Sequence, residues 1–254
     1  MSDSIDLTLI LPAYNERNTI GASVDGAFAY FQSKGIRAEI IVAADGDDGT
    51  RELVALKAVG NSNLKVIGQK ARGGKGRAIR EAVALARGQI IGYADADGKV
   101  PIEDYDRIEP LLRQGYRVVI GSRGMQGSQV LRRQPWYRRW GAEGFYIYMQ
   151  TLVNLPGIPD TQCGFKFFER KAARQLFQFQ KIDGYMFDVE ILALARHFGF
   201  SITQVPIRWR DDGDSRLRLF SGNLRNGLDI FKIRYALARL DSKAVASEVA
   251  AGDS

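Results

Sequence analysis

The sequence predicts an α/β protein in which a mostly parallel sheet is flanked by helices and followed by a C-terminal helical extension. Short apolar runs typical of buried strands alternate with segments of helical period, and five such alternations occupy the first half of the chain. The 254 residues are 45% hydrophobic, so one domain with a full core is the simplest organisation. Helices that connect parallel strands cover both faces of the sheet.

The first predicted strand and helix show the pattern that the later elements repeat. Apolar residues run through Leu7–Leu11 and stop at Pro12, and Thr19–Lys34 then carries apolar residues at the helical period. The remaining predicted elements are a strand at 39–44, a helix at 50–59, a strand at 64–68, a helix at 75–87, a strand at 89–94, a helix from about 102 to 113 and a strand at 117–120. Ligands of such sheets bind beyond the carboxyl ends of the strands.

Polar or glycine-rich segments follow four of these strands, and we expect all four to converge on one cleft. They are Pro12–Glu16, Asp45–Thr50, Ala71–Gly76 and Asp95–Asp97. The glycine-rich loop is not a Walker motif, because that motif requires glycine in place of Gln69 and a hydroxyl in place of Gly76. A dinucleotide-binding fingerprint is also excluded, because the turn at 12–17 holds no glycine.

Asp95 and Asp97 lie at the end of a predicted buried strand, where two carboxylates are costly unless a ligand needs them. Mg²⁺ and Mn²⁺ take oxygen ligands and commonly use one or two carboxylates together with substrate phosphates. The pair therefore predicts a divalent cation that holds a diphosphate. Aspartates are also frequent in turns and at helix N-caps, so this motif alone leaves a structural role open.

The charge of the chain indicates an anionic partner. The formal net charge is +7 and the pI is near 9.5, which fits a nucleotide, a nucleic acid or a membrane. Acidic residues gather at 45–48 and 95–97, whereas arginines crowd 132–139 and 208–218, so a metal site is predicted to face a phosphate-binding one. A nucleic-acid-binding protein would leave the acidic strand ends unexplained, and no nucleic-acid partner is expected.

The sequence has no feature typical of an exported or membrane-spanning protein. Cys163 is the only cysteine, so no intrachain disulfide can form. The first six residues lack the apolar segment of a signal peptide, and the best candidate for a membrane span, Gly144–Leu155, is interrupted by polar residues. A cytoplasmic protein is expected, with any lipid contact made by a peripheral surface.

Several motifs occur in an order that resembles a known family. The segment Leu11–Glu16, the Asp-rich turn before Gly49, the glycine–lysine loop and Asp95–Asp97 together resemble the nucleotide-sugar half of the inverting, GT-A-type glycosyltransferases of family 2. Three further segments are similar to dolichyl-phosphate β-glucosyltransferases and their prokaryotic relatives: Asp160–Phe168, Phe187–Glu190 and Val205–Trp209. The resemblance covers roughly residues 7–220.

This resemblance implies a GT-A, Rossmann-like fold and a metal-dependent hexosyltransferase. It implies a glycosyltransferase domain at 1–220, with a nucleotide-sugar half at about 7–125 and an acceptor half at 126–220. Periodicity and composition separately predict a C-terminal helix and a disordered tail at 221–254. The implied reaction moves glucose from UDP-glucose to a polyprenyl or dolichyl phosphate at the cytoplasmic face of a membrane. A GDP-mannose-dependent lipid-phosphate mannosyltransferase and a family 2 enzyme with a soluble acceptor stay as alternatives, and a homo-oligomer stays open.

The resemblance also implies which residues bind the two substrates. The donor-side residues are Pro12, Tyr14, Glu16, Asp45, Arg72, Lys75 and Asp95. Asp45 is expected to accept the uracil imide N–H, although its turn is one residue shorter than is usual in the family. Arginine suits a phosphate because its donors are forked. The predicted phosphate ligands are Arg123, Lys166, Arg208 and Arg218.

The implied mechanism separates the metal from the group that acts on the acceptor. A cation on Asp97, with Asp95 on the cation or on the sugar, stabilises charge that develops on the departing UDP. An inverting displacement places the catalytic group across the sugar, and Asp160 is the candidate. A phosphate monoester has a second pKa near ~6 and needs little help from a base. Asp160 is therefore either a general base or a residue that orients an acceptor-binding cation or a sugar hydroxyl.

Two segments predict contact with a membrane surface. Basic and aromatic residues are mixed in Val130–Trp140 and Phe145–Met149, as in an interfacial helix. Four arginines near an anionic surface contribute about 4 kcal/mol. The alternative is that these aromatic residues cover the sheet or a dimer partner. The helical stretch Leu224–Leu240 also has an apolar face, which docks on the core, pairs with another subunit or lies on a membrane.

Overall fold

The structure is a computed structural model that describes residues 4–130, 152–210 and 223–240. Within these ranges the chain is an α/β fold with helices on both faces of one seven-stranded sheet. The predicted α/β class and the mostly parallel sheet are confirmed. Three predictions concern residues outside these ranges. They are Arg218 as a phosphate ligand, the basic and aromatic stretches apart from Val130, and the polar C-terminal tail.

The helices and strands follow each other in the predicted alternation through β5. In chain order they are β1 (Leu7–Tyr14), α1 (Ile20–Ser33), β2 (Ala38–Asp45), α2 (Thr50–Ala58), β3 (Leu64–Ile67), α3 (Lys75–Leu85), β4 (Ile90–Ala94), a 3₁₀ helix (Ile102–Arg107), α4 (Glu109–Arg113), β5 (Val118–Ser122), β6 (Gln129–Val130), β7 (Phe165–Glu169), α5 (Arg170–Phe179), α6 (Phe187–His197), β8 (Ile202–Pro206), β9 (Arg208–Trp209) and α7 (Asn223–Arg239).

The main sheet has the strand order β3-β2-β1-β4-β7-β5-β8, and β6 pairs with β9 in a separate two-stranded sheet. Strand β7 is antiparallel to β4 and β5, whereas the other pairs of the main sheet are parallel. Because β7 runs the opposite way, its first residue, Phe165, pairs with Ala94 at the end of β4. The loop before β7 therefore reaches the same edge as the carboxyl ends of the parallel strands.

Two differences between predicted and observed elements involve prolines. Strand β1 continues through Pro12 to Tyr14, because pairing with β4 stops at Ile10 and only β2 lies beside Pro12. Such an edge position tolerates a proline. The predicted helix at 102–113 is divided into the 3₁₀ helix and α4, and Pro110 lies in the first turn of α4. Proline is accepted there because its missing N–H would have no partner in the helix.

The core lies on both faces of the sheet, as expected for strands covered by helices. Leu9 and Phe167 belong to the cluster that packs against α1, whereas Ile10 and Phe168 belong to the cluster that packs against α3, α5 and α6. All eight residues of β2 are buried. Near-continuous burial of this kind is typical of strands covered on both sides.

Helix α7 packs on the core through a face that the sequence did not single out. Ile230 and Ile233 are buried in the core cluster, whereas Leu228, Phe231 and Tyr235 are more than half exposed. Of the three options left open by the sequence, docking of this helix on the core is therefore observed, but it uses Ile230 and Ile233 rather than the predicted apolar face. Within the described ranges, no helix has the length and apolarity needed to cross a bilayer.

Candidate functional site

The loops at the carboxyl edge of the sheet contact one another, as the strand-end rule predicts. The guanidinium carbon of Arg72, in the loop before α3, lies 4.5 Å from the centre of the Tyr14 ring, and its Nη2 donates to the Tyr185 hydroxyl at 2.9 Å. Tyr14 ends β1 and Tyr185 precedes α6. Three segments that are distant in sequence thus meet around the side chain of Arg72.

Two donor-side predictions fall at the end of β1 and in the turn that follows it. Pro12 lies within β1 beside Ala43, and Glu16 lies in the turn between β1 and α1. The N–H of Glu16 donates to Thr50 Oγ1 at 3.0 Å, and its carboxylate accepts from Thr19 Oγ1 at 2.9 Å. Glu16 therefore ties the first turn to the start of α2.

Each carboxylate of the Asp95–Asp97 pair is bound by a lysine. Lys75 Nζ lies 2.6 Å from Asp95 Oδ1, and Lys99 Nζ lies 3.0 Å from Asp97 Oδ2. The backbone N–H of Lys99 also donates to Asp97 Oδ1 at 3.2 Å. The aspartate side chains are 42% and 32% exposed, so solvent reaches both carboxylates.

The donor set at this edge fits a divalent cation that shares its ligands with a substrate. Among the described residues, no group of three or more His, Cys, Asp or Glu side chains comes together. Mg²⁺ and Mn²⁺ do not require such a cage, because one or two carboxylates suffice when phosphates and water complete the shell. Asp95 and Asp97 supply that number, provided that the two lysines exchange their carboxylates for phosphate oxygens.

Lys75 connects this exposed pair to a buried charged cluster. Burial lowers the pKa of Lys75, but the Asp95 and Asp188 carboxylates raise it by more, so its pKa lies above the usual value. Asp188 in turn accepts hydrogen bonds from the Tyr93 hydroxyl at 2.6 Å and from the ammonium of Lys166. The ammonium of Lys75 is thereby kept charged and aimed at Asp95.

The position of Lys166 does not agree with the prediction that it binds an acceptor phosphate. Its side chain has no exposed surface, and its ammonium also donates to the Cys163 carbonyl oxygen at 2.6 Å. A buried ammonium that has a carboxylate and a carbonyl as partners is part of the core network. We therefore correct the prediction: Lys166 supports Asp188 and lies beneath the site.

Asp45 holds the glycine-rich loop from inside. Its carboxylate accepts the N–H of Gln69 at 3.2 Å and that of Gly73 at 2.7 Å, and Arg77 Nη2 lies 2.8 and 3.0 Å from its two oxygens. The side chain is 5% exposed. In the unliganded protein these donors occupy the lone pairs of Asp45 that a uracil imide N–H would need. Recognition of the base by Asp45 is not tested by this arrangement and stays a prediction.

Asp160 and Arg123 form a two-pronged ion pair. Arg123 Nε and Nη2 donate to the Asp160 carboxylate at 2.7 and 2.8 Å, and the Arg123 backbone N–H adds a contact at 2.9 Å. Burial raises the pKa of Asp160, but the hydrogen bonds and charge of Arg123 lower it by more, so this pKa lies below its usual value. The guanidinium carbon of Arg123 also lies 5.4 Å from the centre of the Trp209 ring.

A small cationic cavity adjoins the metal-binding candidates. Its volume is about 170 Å³, and it is lined by Lys99, Pro101, Gln129, Arg208, Trp209 and Arg210. Arg208 is oriented by the buried Asp104, which accepts its backbone N–H at 2.7 Å and its Nε at 2.8 Å. Lys99 contacts Asp97 and also lines this cavity, so the acidic pair and the cationic cavity are neighbours.

Sequence reasoning missed several residues of this site. Lys99 and Asp104 were not predicted, although Lys99 lies only two residues after Asp97, and Arg210 was counted only as one of the arginines at 208–218. Asp104 lies 104 positions before the arginine that it orients, and no local signal marks it. Trp209 stood inside a recognised motif without an assigned role.

Known proteins are similar in sequence to most of this chain. Residues 8–177 match the family model described as Glycosyl transferase family 2. The dolichyl-phosphate beta-glucosyltransferase of Dictyostelium discoideum is 34% identical over 246 residues, which cover 92% of this chain and 75% of that protein. The Drosophila melanogaster protein of the same name is 34% identical over 246 residues, covering 91% and 75%.

Solved structures with the same fold are more distant in sequence. Mannosyl-3-phosphoglycerate synthase from Rubrobacter xylanophilus has a TM-score of 0.62 at 20% identity, over 96% of this chain and 75% of that chain. The mannosyltransferase PcManGT from Pyrobaculum calidifontis, in complex with GDP-Man and Mn²⁺, has a TM-score of 0.55 at 18% identity, over 98% and 74%. These likenesses concern the arrangement of sheet and helices.

Proposed function

We propose, because this chain belongs to glycosyl transferase family 2, that it transfers glucose from UDP-glucose to a polyprenyl or dolichyl phosphate. The fold is GT-A-like, as predicted from the sequence. The names of the relatives support the acceptor and the sugar. The observation that carries the proposal is that Lys99 contacts Asp97 and lines the cationic cavity, which brings a site for a metal diphosphate next to a site for a second phosphate.

On the donor side, Asp95 and Asp97 would hold Mg²⁺ or Mn²⁺. A cation held by these two carboxylates would supply positive charge to neutralise the leaving diphosphate. The side chains of Lys75 and Arg72 lie at the same edge, where they contact Asp95 and Tyr185 and would donate to the phosphate oxygens of a bound donor. Asp45 contributes to selection of UDP through the loop 69–73, which it holds by two backbone N–H groups and Arg77.

On the acceptor side, Arg123 and Arg208 bind the lipid phosphate, with Arg210 and Lys99 adding positive charge. Asp160 and Asp104 fix the first two arginines by paired contacts. A carboxylate whose pKa is lowered by an arginine is a weak base. The acceptor is largely dianionic at neutral pH, since its second pKa is near ~6. Of the two roles that the sequence left open, we therefore favour orientation of Arg123 by Asp160.

Peripheral contact with the cytoplasmic face of a membrane is part of this proposal. A lipid acceptor requires the site to approach a bilayer surface. Exposed Leu228, Phe231 and Tyr235 of α7, beside the exposed Lys232 and Arg234, have the mixture of apolar and basic groups that suits an anionic interface. Asp229 of the same helix lies beside Gly184, next to Tyr185 at the edge of the site.

A transfer assay tests the proposed function. The protein is incubated with labelled UDP-glucose or GDP-mannose, Mg²⁺ or Mn²⁺, and either polyprenyl phosphate in detergent or water-soluble sugar acceptors. We expect a glucosylated lipid phosphate that requires both the divalent cation and the phosphate group of the acceptor. Preferred use of GDP-mannose, or transfer to the soluble acceptors alone, would contradict the proposal.

A further inference from the structure

Gly164 lies directly against the carboxylate of Asp95. The backbone N–H of Asp95 donates to the Gly164 carbonyl oxygen at 3.0 Å, which extends the pairing of β4 and β7 by one residue. A Cβ built on Gly164 would overlap the carboxyl carbon and both carboxylate oxygens of Asp95. The Asp95 side chain thus occupies the space that any side chain at position 164 would take.

The backbone of Gly164 does not by itself require glycine. Among the described glycines, those with positive φ do not include Gly164. The chain conformation would therefore accept an alanine, and the three atoms nearest to its Cβ would all belong to the Asp95 carboxylate. The collision is with the end of a side chain, so the carboxylate would rotate about its χ1 bond while the strands stay paired.

Rotation would separate Asp95 from its partner on the other side. Lys75 Nζ lies 2.6 Å from Asp95 Oδ1, and Lys75 begins α3 between the charges of Asp95 and Asp188. The glycine leaves room for the carboxylate on one side, and the ammonium holds it on the other. Together the two constraints restrict the rotamers of a side chain that is 42% exposed.

We propose that Gly164 is a positioning residue for Asp95, and that its missing side chain fixes the carboxylate where it serves the donor's metal diphosphate. That the Asp95 carboxylate serves a metal diphosphate rests on the proposed function. Its placement between Gly164 and Lys75 is a property of the unliganded protein. Groups that orient a metal ligand typically change metal affinity by about 10- to 100-fold when they are altered.

The test compares Gly164→Ala with Gly26→Ala, a change inside α1 where an added Cβ meets nothing within 4 Å. The melting temperature is measured with UDP at increasing Mn²⁺ concentrations. In Gly164→Ala we expect the Mn²⁺ concentration for half-maximal stabilisation to rise by about tenfold or more, and in Gly26→Ala to stay at the wild-type value. An unchanged Mn²⁺ requirement in Gly164→Ala overturns the inference.

Two further measurements distinguish placement of the Asp95 carboxylate by Gly164 from the proposed binding of a metal diphosphate. In the Asp95→Ala background, Gly164→Ala should have no added effect on the Mn²⁺ requirement, because the group that it displaces is absent; an equal added loss would mean a general structural role and overturn the inference. A crystal structure of unliganded Gly164→Ala should show the carboxylate turned away from Lys75. If wild-type protein shows no Mn²⁺-dependent binding of UDP, the proposed function fails, and this crystal structure still decides whether Gly164 positions Asp95.

Discussion

Replacing Asp160 by asparagine removes the charge that holds Arg123 while keeping the shape of the side chain. Three contacts of 2.7 to 2.9 Å join the two residues, and Asp160 is 8% exposed whereas Arg123 is 34% exposed. Hydrogen bonds to charged groups contribute about 1.5–3 kcal/mol, and solvent at the arginine places this pair towards the lower part of that range. A loss of about 2 kcal/mol in placing the arginine corresponds to about a 30-fold rise in the acceptor KM.

The assay measures kcat and KM for polyprenyl phosphate across pH. If Asp160 orients Arg123, Asp160→Asn raises the acceptor KM far more than it lowers kcat, and the acid limb of the pH profile, set by the phosphate near pH ~6, persists. Asp6→Asn is the matched control, because Arg37 makes the same three contacts to Asp6 at the surface. Loss of kcat together with the acid limb, at unchanged acceptor KM, would refute the reasoning and identify Asp160 as a general base.

The same pair has a defined effect on stability. The folded-state pKa of Asp160 lies below the unfolded value of about 3.9. Its contribution to the free energy of unfolding is therefore present above about pH 4 and is lost as pH falls through the folded pKa. The melting temperature of the wild type should exceed that of Asp160→Asn at pH 7, and the two melting temperatures should converge in strong acid.

Two other predictions concern the donor loop and the outer face of α7. Arg77→Lys loses the guanidinium contact by which Nη2 reaches both oxygens of Asp45, the carboxylate that holds loop 69–73, so the KM for UDP-glucose should rise about fivefold, or about 1 kcal/mol. Arg113→Lys, at another i,i+4 Arg–Glu pair, should leave that KM unchanged, and an equal KM in both variants would contradict the role of the loop. Tyr235→Ser should weaken binding to anionic vesicles about fivefold, because a half-exposed aromatic ring contributes about 1 kcal/mol when it enters the interface. Leu56→Ser, at an exposed apolar residue of α2, is the control, and equal effects of the two changes would argue against docking through α7.

The sequence was sufficient for the parts of the site that depend on strand order alone. Tyr14, Asp45, Lys75 and Asp95 each follow or end a strand in a regular alternation, and parallel strands carry such residues to one edge whatever the side chains do. The motif order added the family, which the relatives confirm.

What the sequence did not reveal depends on pairing between distant segments. The antiparallel insertion of β7 between β4 and β5 is decided by tertiary packing, and it takes Lys166 into the core and brings Gly164 against Asp95. The partners of Asp45 and Arg208 lie 32 and 104 positions away along the chain, so no local pattern reports that these carboxylates and guanidinium groups are already paired. Residue type predicted the chemistry, and geometry decided which groups face the ligand.

The central claim, that Asp97 and its neighbour bind a divalent cation together with the donor diphosphate, is tested most directly by calorimetric titration of UDP with and without Mn²⁺. Wild type and Asp97→Asn are compared with Asp25→Asn, where a surface aspartate is likewise paired with a lysine. We predict that Mn²⁺ strengthens UDP binding in wild type and in Asp25→Asn and has little effect in Asp97→Asn. Equal strengthening by Mn²⁺ in all three proteins would contradict the account.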